Sequence, residues 1–340
     1  MTVTINDVAK KAKVSVATVS RVINNSILIS EKTKKNVRKA IKNLDYKPYA
    51  RARKLIEKNL RAAALLIPDI KNVFYPIVIR GVEDELEKNG YSLFICNTDE
   101  NIEKERKYLD TLIDKGVDGM IFLGTRPTKL KQEYIINLSE KMPVLMINDY
   151  IVGSNIYSVM TDETEGAFQA VNYLIKLGHK KIAFINGDVD YTTYRYKYRG
   201  YGRALETNGI EADGKYHIKE TPYEEGGYLG TKKILQMKED RPTAIFTASD
   251  QIAIGVYKAI YEAGLKIPGD FSVVGFSGIP LSKELYPELT TIDQFAYNTG
   301  AQAGKTLMKL IAGEALEQKR IILEPKLIVR NSCRDISEKQ

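Results

Sequence analysis

The sequence predicts an N-terminal all-α helix-turn-helix domain followed by an α/β core of two doubly wound parallel-sheet lobes. The 340 residues exceed what one core usually holds, so several domains are expected. Residues 1–60 carry 15 Lys and Arg against 4 Asp and Glu, whereas the remaining 280 residues have a net charge of −3. Beyond residue 60, short apolar runs alternate with longer amphipathic stretches, as in strands that alternate with helices.

Three short helices are predicted over residues 5–12, 16–24 and 31–44. Each follows a residue whose side-chain oxygen can cap a helix: Thr4, Ser15 and Ser30. The inward faces are predicted to hold Val19, Val22 and Ile23 in the second helix and Val37, Ala40, Ile41 and Leu44 in the third. Three such helices joined by brief turns form a helix-turn-helix domain over residues 1–47.

The second helix is predicted to be a recognition helix in the major groove of DNA. Val16 and Ala17 are small enough to lie against thymine methyl groups, and Arg21 can reach guanine acceptors. Hydroxyl and amide groups are predicted to position phosphates, namely those of Thr4, Ser15, Ser20, Asn24, Ser30 and Thr33. A plain helix cap explains each Ser or Thr equally well, and the two roles are compatible.

A segment rich in Ala and Arg, YKPYARARKLIEKN, follows the third helix. Pro48 ends that helix, and residues 49–56 are too few for a stable isolated helix in water. Composition alone favours a flexible linker. The alternative is a helix that folds when two copies pack on DNA, with Leu55 wedged into a minor-groove base step.

Nine apolar runs in the core predict strands: AALLIPD, YSLFICN, GMIFLGT, PVLMIND, YSVMTD, KIAFING, AIFTASD, SVVGFSG and LTTIDQF. Predicted helices between them end at Gly90, Gly116, Gly178 and Gly264, a common helix terminator. A dense tyrosine segment, YTTYRYKYRGY, is predicted to form a helix of mixed core and surface character. About 280 residues are too many for one ordinary sheet, so two similar lobes are expected.

Polar side chains follow several predicted strands, where open parallel sheets bind ligands. They are Asp69, Asn72, Asn97, Asp99, Asn148, Asp149, Asp162, Asn186, Asp188, Asp250 and Ser277. Amides and carboxylates that converge from two lobes suit a sugar, because sugar hydroxyls both donate and accept. Phe74 is predicted to stack on the sugar ring and Arg195 to pair with its oxygens. Each Asp or Asn is equally consistent with a turn or a helix cap.

Motifs along nearly the whole chain resemble the lactose-repressor/galactose-repressor (LacI/GalR) family of bacterial transcription regulators. They include TINDVAKKAKVSVATVSRVIN, ISEKTKKNVRKAI, LDYKPYARARKL, LGHKKIAFING, YRGYGRALE and PTAIFTASDQIAIGVYKAIYEAGLKIPGDFSVVGF. The resemblance implies a core like that of periplasmic sugar-binding proteins, and a hinge helix over residues 48–60 with Leu55 as the intercalating leucine. The chain departs from the family at Tyr49, where Asn is frequent, at Ser277 and Gly278, where Asp is common, and at Phe295, where Pro is frequent.

The resemblance also implies site residues and lobe boundaries within the core, residues 61–340. Lobe 1 is expected to comprise residues 61–160 and 290–320, and lobe 2 residues 161–289 and 321–340. The implied DNA-binding residues are Thr4, Ser15, Val16, Ala17, Thr18, Ser20, Arg21, Asn24, Ser30, Thr33, Arg51, Ala52 and Leu55. The implied effector-binding residues are Asn72, Phe74, Asn148, Asp149, Arg195, Asp250, Ser277 and Gln294.

Together these observations predict a sequence-specific repressor of carbohydrate-utilisation genes, controlled by a small sugar bound between the lobes. The expected partners are pseudo-palindromic operator DNA, the sugar and a second copy of the chain. The C-terminus lacks a leucine heptad, which favours a homodimer over a tetramer. One alternative is a regulator of the same family that responds to a purine or to a phosphoprotein corepressor.

An enzyme is disfavoured, and no catalytic residue, metal site or cofactor is predicted. His179 and His217 are the two histidines, and the sequence has no G-x-S-x-G motif, Walker loop or Cys/His cluster. Cys96 and Cys333 lie far apart, as in proteins of a reducing compartment. Without a signal-peptide core or an apolar run near ~18 residues, a cytoplasmic protein is expected rather than a membrane protein or a transport-type sugar-binding protein.

Overall fold

The computed structural model describes residues 4–23, 29–44, 60–124 and 132–337. Contacts divide the chain into two units, residues 1–60 and residues 61–340. Four predicted DNA-binding residues lie outside the described residues: Asn24, Arg51, Ala52 and Leu55. The same holds for the predicted hinge segment apart from Leu60. Within the described ranges, we find no helix whose length and apolar character would let it cross a bilayer.

The N-terminal unit contains three helices, α1 (Ile5–Ala12), α2 (Val16–Ile23) and α3 (Glu31–Asn43). Their shared core consists of Val8, Ala9, Ala12, Val19, Val22, Val37 and Ala40, with Ile23, Ile41 and Leu44 packed against it. The Asn36 side-chain amide donates to the Ala12 carbonyl at 2.9 Å, which satisfies an acceptor at the end of α1. The predicted helices and inward faces are therefore present.

The second unit contains twelve described strands in two sheets. They are β1 (Ala62–Ile67), β2 (Ser92–Asn97), β3 (Gly119–Leu123), β4 (Val144–Ile147), β5 (Tyr157–Thr161), β6 (Ile182–Asn186), β7 (His217–Lys219), β8 (Ala244–Thr247), β9 (Ser272–Ser277), β10 (Thr290–Asp293), β11 (Arg320–Leu323) and β12 (Lys326–Ile328). Lobe 1 has the order β11-β5-β4-β3-β1-β2, and lobe 2 has the order β12-β10-β9-β8-β6-β7. All pairings are parallel except β10 with β12.

Helices cover both sheets, as expected of parallel sheets that are buried on their two faces. Those of lobe 1 are α4 (Phe74–Lys88), α5 (Ile102–Lys115), α6 (Glu133–Ser139) and α11 (Ala296–Ile311). Those of lobe 2 are α7 (Glu163–Lys176), α8 (Thr192–Thr207), α9 (Glu224–Leu235) and α10 (Asp250–Glu262). The tyrosine-rich segment forms the first part of α8.

All nine predicted strands are present, whereas β7, β11 and β12 were not predicted. These three contain three or four residues and carry exposed positions, too little pattern to recognise from sequence. Two strands also lie in the other lobe from the one expected. Residues 290–293 pair with β9 in lobe 2, and residues 320–323 pair with β5 in lobe 1. The boundaries expected at residues 290 and 321 therefore lie instead just after β10 and just after β11.

Helices α9 and α10 pack so closely that their backbones touch through two glycines. A Cβ atom added to Gly255 would lie 1.8 Å from the Glu224 carbonyl oxygen, and one added to Gly227 would lie 1.9 Å from the Ile252 carbonyl oxygen. Both partners are backbone atoms, which cannot rotate away as a side chain would. This helix pair therefore tolerates no side chain at either position without separating.

Replacing Gly255 with Ala is expected to destabilise the core by about 1 to 3 kcal/mol, because the added methyl group overpacks the helix contact. Gly202→Ala in α8 is the matched control, since a Cβ atom there has no neighbour within 4 Å. That control should stabilise the core by up to about 1 kcal/mol through helix propensity. Urea unfolding of the two variants measures the difference, and equal stability would contradict the packing argument.

His179 is a buried, neutral hydrogen-bonding group of lobe 2. Its Nδ1 lies 2.8 Å from Thr243 Oγ1 and its Nε2 lies 2.9 Å from Ser272 Oγ. His179 is 1% exposed, and burial lowers its pKa to about 4. The imidazole thus links the turn after α7 to β9 and to the residue that precedes β8.

Acid is expected to destabilise the core through His179. Because the folded-state pKa lies below the unfolded value of 6.5, the stability is present above pH 6.5 and is lost as the pH falls towards 4. The loss should reach about 2 to 3 kcal/mol. Urea unfolding at about pH 7 and pH 4, compared with the non-titrating His179→Gln variant, isolates this contribution from that of the carboxylates. Parallel pH profiles would refute it.

Candidate functional sites

The first candidate site is the exposed start of α2 in the basic N-terminal unit. Ser15, Val16, Ala17 and Arg21 are exposed, whereas Val19 is fully buried. Val16 is 40% exposed. The arrangement leaves two small apolar side chains and one guanidinium free to contact another molecule.

Three of the residues predicted to contact phosphates also cap helices: Thr4, Ser15 and Ser30. Thr4 and Asp7 form a capping box, in which the Thr4 backbone amide donates to Asp7 Oδ2 at 2.8 Å. The Thr4 hydroxyl also donates to Asp7 Oδ2, at 2.7 Å. Ser15 Oγ accepts from the Thr18 amide at 3.2 Å and lies 2.9 Å from Thr18 Oγ1. The same pattern recurs at the start of α3, where Ser30 Oγ accepts from the Thr33 amide at 3.3 Å.

These capping bonds leave room for a phosphate contact. A hydroxyl oxygen has two lone pairs and one hydrogen, so the two contacts made by Ser15 Oγ, or by Ser30 Oγ, do not exhaust its bonding capacity. Ser15 and Ser30 are exposed, and Thr18, Ser20 and Thr33 are half-buried. The structure thus leaves the predicted phosphate contacts of this surface sterically open.

The second candidate site is a small cavity between the lobes, with a volume of about 60 Å³. We call it the central cavity. Five of the eight predicted effector-binding residues line it: Asn72, Phe74, Asn148, Ser277 and Gln294. Lobe 1 contributes the first three, β9 contributes Ser277, and Gln294 lies where the chain passes from β10 to α11.

A buried ion pair that sequence reasoning missed lies at this cavity. Lys197 Nζ is 3.4 Å from Glu163 Oε1, and both residues are 5% exposed. The ammonium also donates to the Ala248 carbonyl at 3.1 Å and lies 4.3 Å from the centroid of the Phe276 ring. Burial lowers the pKa of Lys197, and the charge of Glu163 opposes that shift. Both residues line the central cavity.

Uncharged polar groups complete the central cavity. Asn148 is 8% exposed, and its Oδ1 has no hydrogen-bond partner within the described residues. Gln294 Nε2 donates to Glu163 Oε1 at 3.4 Å, which orients the carboxylate. A ligand here would meet an ammonium donor, a carboxylate and an amide acceptor at short range.

A larger cavity of about 450 Å³ shares Asn72, Tyr75, Tyr194 and Pro222 with the central cavity. We call it the outer cavity. Two tyrosines of lobe 2 bond across it to carboxylates of lobe 1: the Tyr223 hydroxyl donates to Asp69 Oδ2 at 2.6 Å, and the Tyr191 hydroxyl donates to Glu100 Oε2 at 3.2 Å. These bonds hold the two lobes together at the edge of the cleft.

The remaining three predicted effector residues lie elsewhere. Asp250 is 1% exposed and is not among the residues that line the central cavity. It accepts from the Ile279 amide at 2.9 Å and from the Thr291 hydroxyl at 2.5 Å, while burial raises the pKa of the carboxyl to about 6. The Asp250 carboxylate therefore joins three elements through hydrogen bonds: helix α10, the turn that follows β9, and strand β10.

Arg195 and Asp149 line a third cavity, of about 380 Å³, which we call the Arg195 cavity. On a helix, residues two apart lie on nearly opposite faces, so Arg195 and Lys197 cannot serve one cavity together. The sequence named Arg195 as the cation of the ligand site, whereas the cation that lines the central cavity is Lys197. Lys197 shares the spacing of the buried Gly200, Tyr201 and Ala204, a helical signal that identifies its face.

The chain is similar to known proteins over nearly its full length. Residues 4–49 match the bacterial regulatory proteins of the lacI family, and residues 171–333 match a periplasmic binding protein-like domain. The ribose operon repressor of Halalkalibacterium halodurans is 39% identical, and the alignment covers 97% of each chain.

Among the solved structures that resemble the fold are a repressor and a transcriptional regulator. The lac repressor dimer bound to operator and the anti-inducer ONPF has a TM-score of 0.73 and 26% identity, covering 98% of this chain and 100% of that one. A LacI family transcriptional regulator from Enterococcus faecium with bound ribose has a TM-score of 0.72 and 28% identity, covering 81% of this chain and 99% of that one.

Proposed function

Because this chain belongs to the lacI family of bacterial regulatory proteins, we propose that it represses transcription by binding operator DNA and is controlled by a sugar bound between its lobes. Regulation rather than catalysis is the proposed role. The observation that carries the sugar assignment is the convergence of Lys197, Glu163 and Asn148 on one interlobe cavity.

The exposed start of α2 and the charge of the N-terminal unit support operator binding. A net charge of +11 over residues 1–60 provides the counterion release that drives binding to DNA. Val16, Ala17 and Arg21 are exposed on the helix proposed to read base edges. The likeness to an operator-bound repressor dimer supports a homodimer on a pseudo-palindromic site.

Hydroxyl groups fit the central cavity because they satisfy donors and acceptors at once. A sugar hydroxyl donates to Glu163 or to the Asn148 amide oxygen and accepts from Lys197. The buried aromatic ring of Phe74 borders the same space and suits a sugar face. The central cavity alone is small for a monosaccharide, and the outer cavity supplies the additional volume.

The proposed control is a shift in the population of lobe arrangements. A sugar that contacts both lobes stabilises the arrangement in which those contacts form, to the extent that it binds this arrangement more tightly. That arrangement sets the separation of the two segments over residues 48–60 in a dimer. In one lobe arrangement these two hinge segments contact the minor groove of the operator, and in the other arrangement that contact is lost.

Thermal unfolding of the full chain against monosaccharides, purines and sugar phosphates tests the effector class. A ligand that binds the folded state raises its stability, by about 2.7 kcal/mol at a concentration of 100 times Kd. We expect a neutral sugar to give the shift. A response to purines alone would favour the purine-controlled alternative, and silence across the panel would favour a protein corepressor.

Lys197→Gln is expected to weaken sugar binding by at least tenfold, since a hydrogen bond from a charged donor contributes about 1.5 to 3 kcal/mol. Operator binding without sugar should remain, because Lys197 belongs to the core. Lys232→Gln, on the exposed surface of α9, is the matched control. Calorimetric titration measures sugar affinity, and unchanged affinity in the Lys197 variant would remove the residue from the site.

Leu55→Ala is expected to reduce operator affinity by at least tenfold while sparing nonspecific binding, because nonspecific DNA contacts are mainly electrostatic. Leu60→Ala, five residues further along, is the control. Fluorescence anisotropy with operator and with scrambled DNA at matched salt measures both affinities. An equal loss on the two DNAs would contradict the hinge proposal.

A further inference from the structure

The Arg195 cavity is separate from the site proposed for the sugar. Loop residues after β4 and residues of α6 line it from lobe 1, and the first turns of α8 line it from lobe 2. Its volume of about 380 Å³ is enough for a small metabolite. The residues that line it and those that line the central cavity do not overlap.

Two side chains at this cavity carry buried polar atoms whose hydrogen bonds are not satisfied within the described residues. They are Arg195, through Nε, and Gln132, through Oε1. A buried unsatisfied donor or acceptor is costly, so such atoms often mark a place where a ligand binds. A guanidinium matches the two oxygens of a carboxylate in a planar, bidentate geometry.

The charge of the cavity argues against a phosphate. Among the described residues that line the cavity, Asp149 and Glu133 are anionic and Arg195 is cationic, so their formal charges sum to −1. Asp149 is 2% exposed, and its Oδ1 accepts from the Tyr150 amide at 2.9 Å. A dianionic phosphate would be repelled by these carboxylates. A zwitterion instead presents its carboxylate to the guanidinium and its ammonium to the acidic side chains.

Aromatic and apolar side chains supply the rest of the lining. The Tyr196 hydroxyl donates to the Tyr150 hydroxyl at 3.2 Å, and the Arg320 guanidinium lies 3.9 Å from the centroid of the Tyr150 ring. Both rings are thereby held in place and present a fixed apolar surface to the cavity. Ile136 and Ile151 complete a surface that suits a hydrocarbon side chain.

We propose that the Arg195 cavity binds an L-α-amino acid with an apolar side chain, as a second ligand that bridges the two lobes. Arg195 holds the carboxylate, Asp149 and Glu133 face the ammonium, and the isoleucines contact the side chain. Because the ligand contacts both lobes, it biases the same lobe arrangement that the sugar acts upon.

Calorimetric titration of the full chain with L-leucine, L-isoleucine and L-phenylalanine tests the proposal. At least one is expected to bind, and its methyl ester and its N-acetyl derivative are each expected to bind at least about tenfold more weakly, because each lacks one of the two charges. No binding by any of the three amino acids would overturn the proposal. Equal binding by the methyl ester would also overturn it, since Arg195 would then hold no carboxylate.

Arg195→Gln is expected to weaken amino acid binding by at least about tenfold. The matched control is Arg203→Gln on the same helix, where the guanidinium pairs with Glu165 on the surface. Unchanged binding in the Arg195 variant would overturn the assignment. The ester and N-acetyl titrations use the unmodified chain, so they test the proposal even if that variant does not fold.

The sugar titration uses a different probe on the same protein. A sugar response without an amino acid response refutes this inference alone, whereas the reverse refutes only the proposed sugar effector.

Discussion

The chain crosses between the two sheets of the core three times, and these crossings constrain the rest of the core. The chain leaves lobe 1 after β5, returns after β10 and leaves again after β11, so the two lobes cannot move independently. The Thr161 hydroxyl donates to the Gln294 carbonyl at 3.1 Å, which joins two of these crossings. Because the carboxyl ends of the strands border this junction, side chains that follow distant strands meet there. The interlobe cavities follow from this connectivity.

Within that frame, the Lys197–Glu163 pair sets the chemistry of the central cavity. Removing two charges from water is expensive, and their mutual attraction offsets the cost only with further hydrogen bonds. Ala248 and Gln294 supply such bonds from the protein. A polyhydroxylated ligand in the cavity would supply further hydrogen bonds to the pair, which would lower the cost of burying its charges. The polar arrangement explains why a ligand could couple to lobe position, because its contacts come from both lobes.

Tyrosine side chains help to hold the two lobes together at the edge of the cleft. Tyr191, Tyr196 and Tyr223 of lobe 2 each donate a hydroxyl to lobe 1. Such bonds exchange readily with water, and each contributes about 0.5 to 1.5 kcal/mol. A few of them hold an arrangement that a ligand can still shift. The density of tyrosines at the start of α8 thus has a structural role in addition to core packing.

The sequence by itself determined the local elements. These elements depend on residues that are neighbours in the chain, and they appear where predicted. They comprise the helix caps at Thr4, Ser15 and Ser30, the glycines that terminate helices, and the nine apolar runs. The tertiary structure decided which lobe receives β10 and β11, because short strands acquire a sheet only through distant pairing partners. It also separated Arg195 from Lys197 and enclosed Asp250 in hydrogen bonds. The positions of these residues depend on which face of a helix is buried and on which backbone groups lie opposite. Both are set by parts of the chain that are distant in sequence, so no local pattern specifies them.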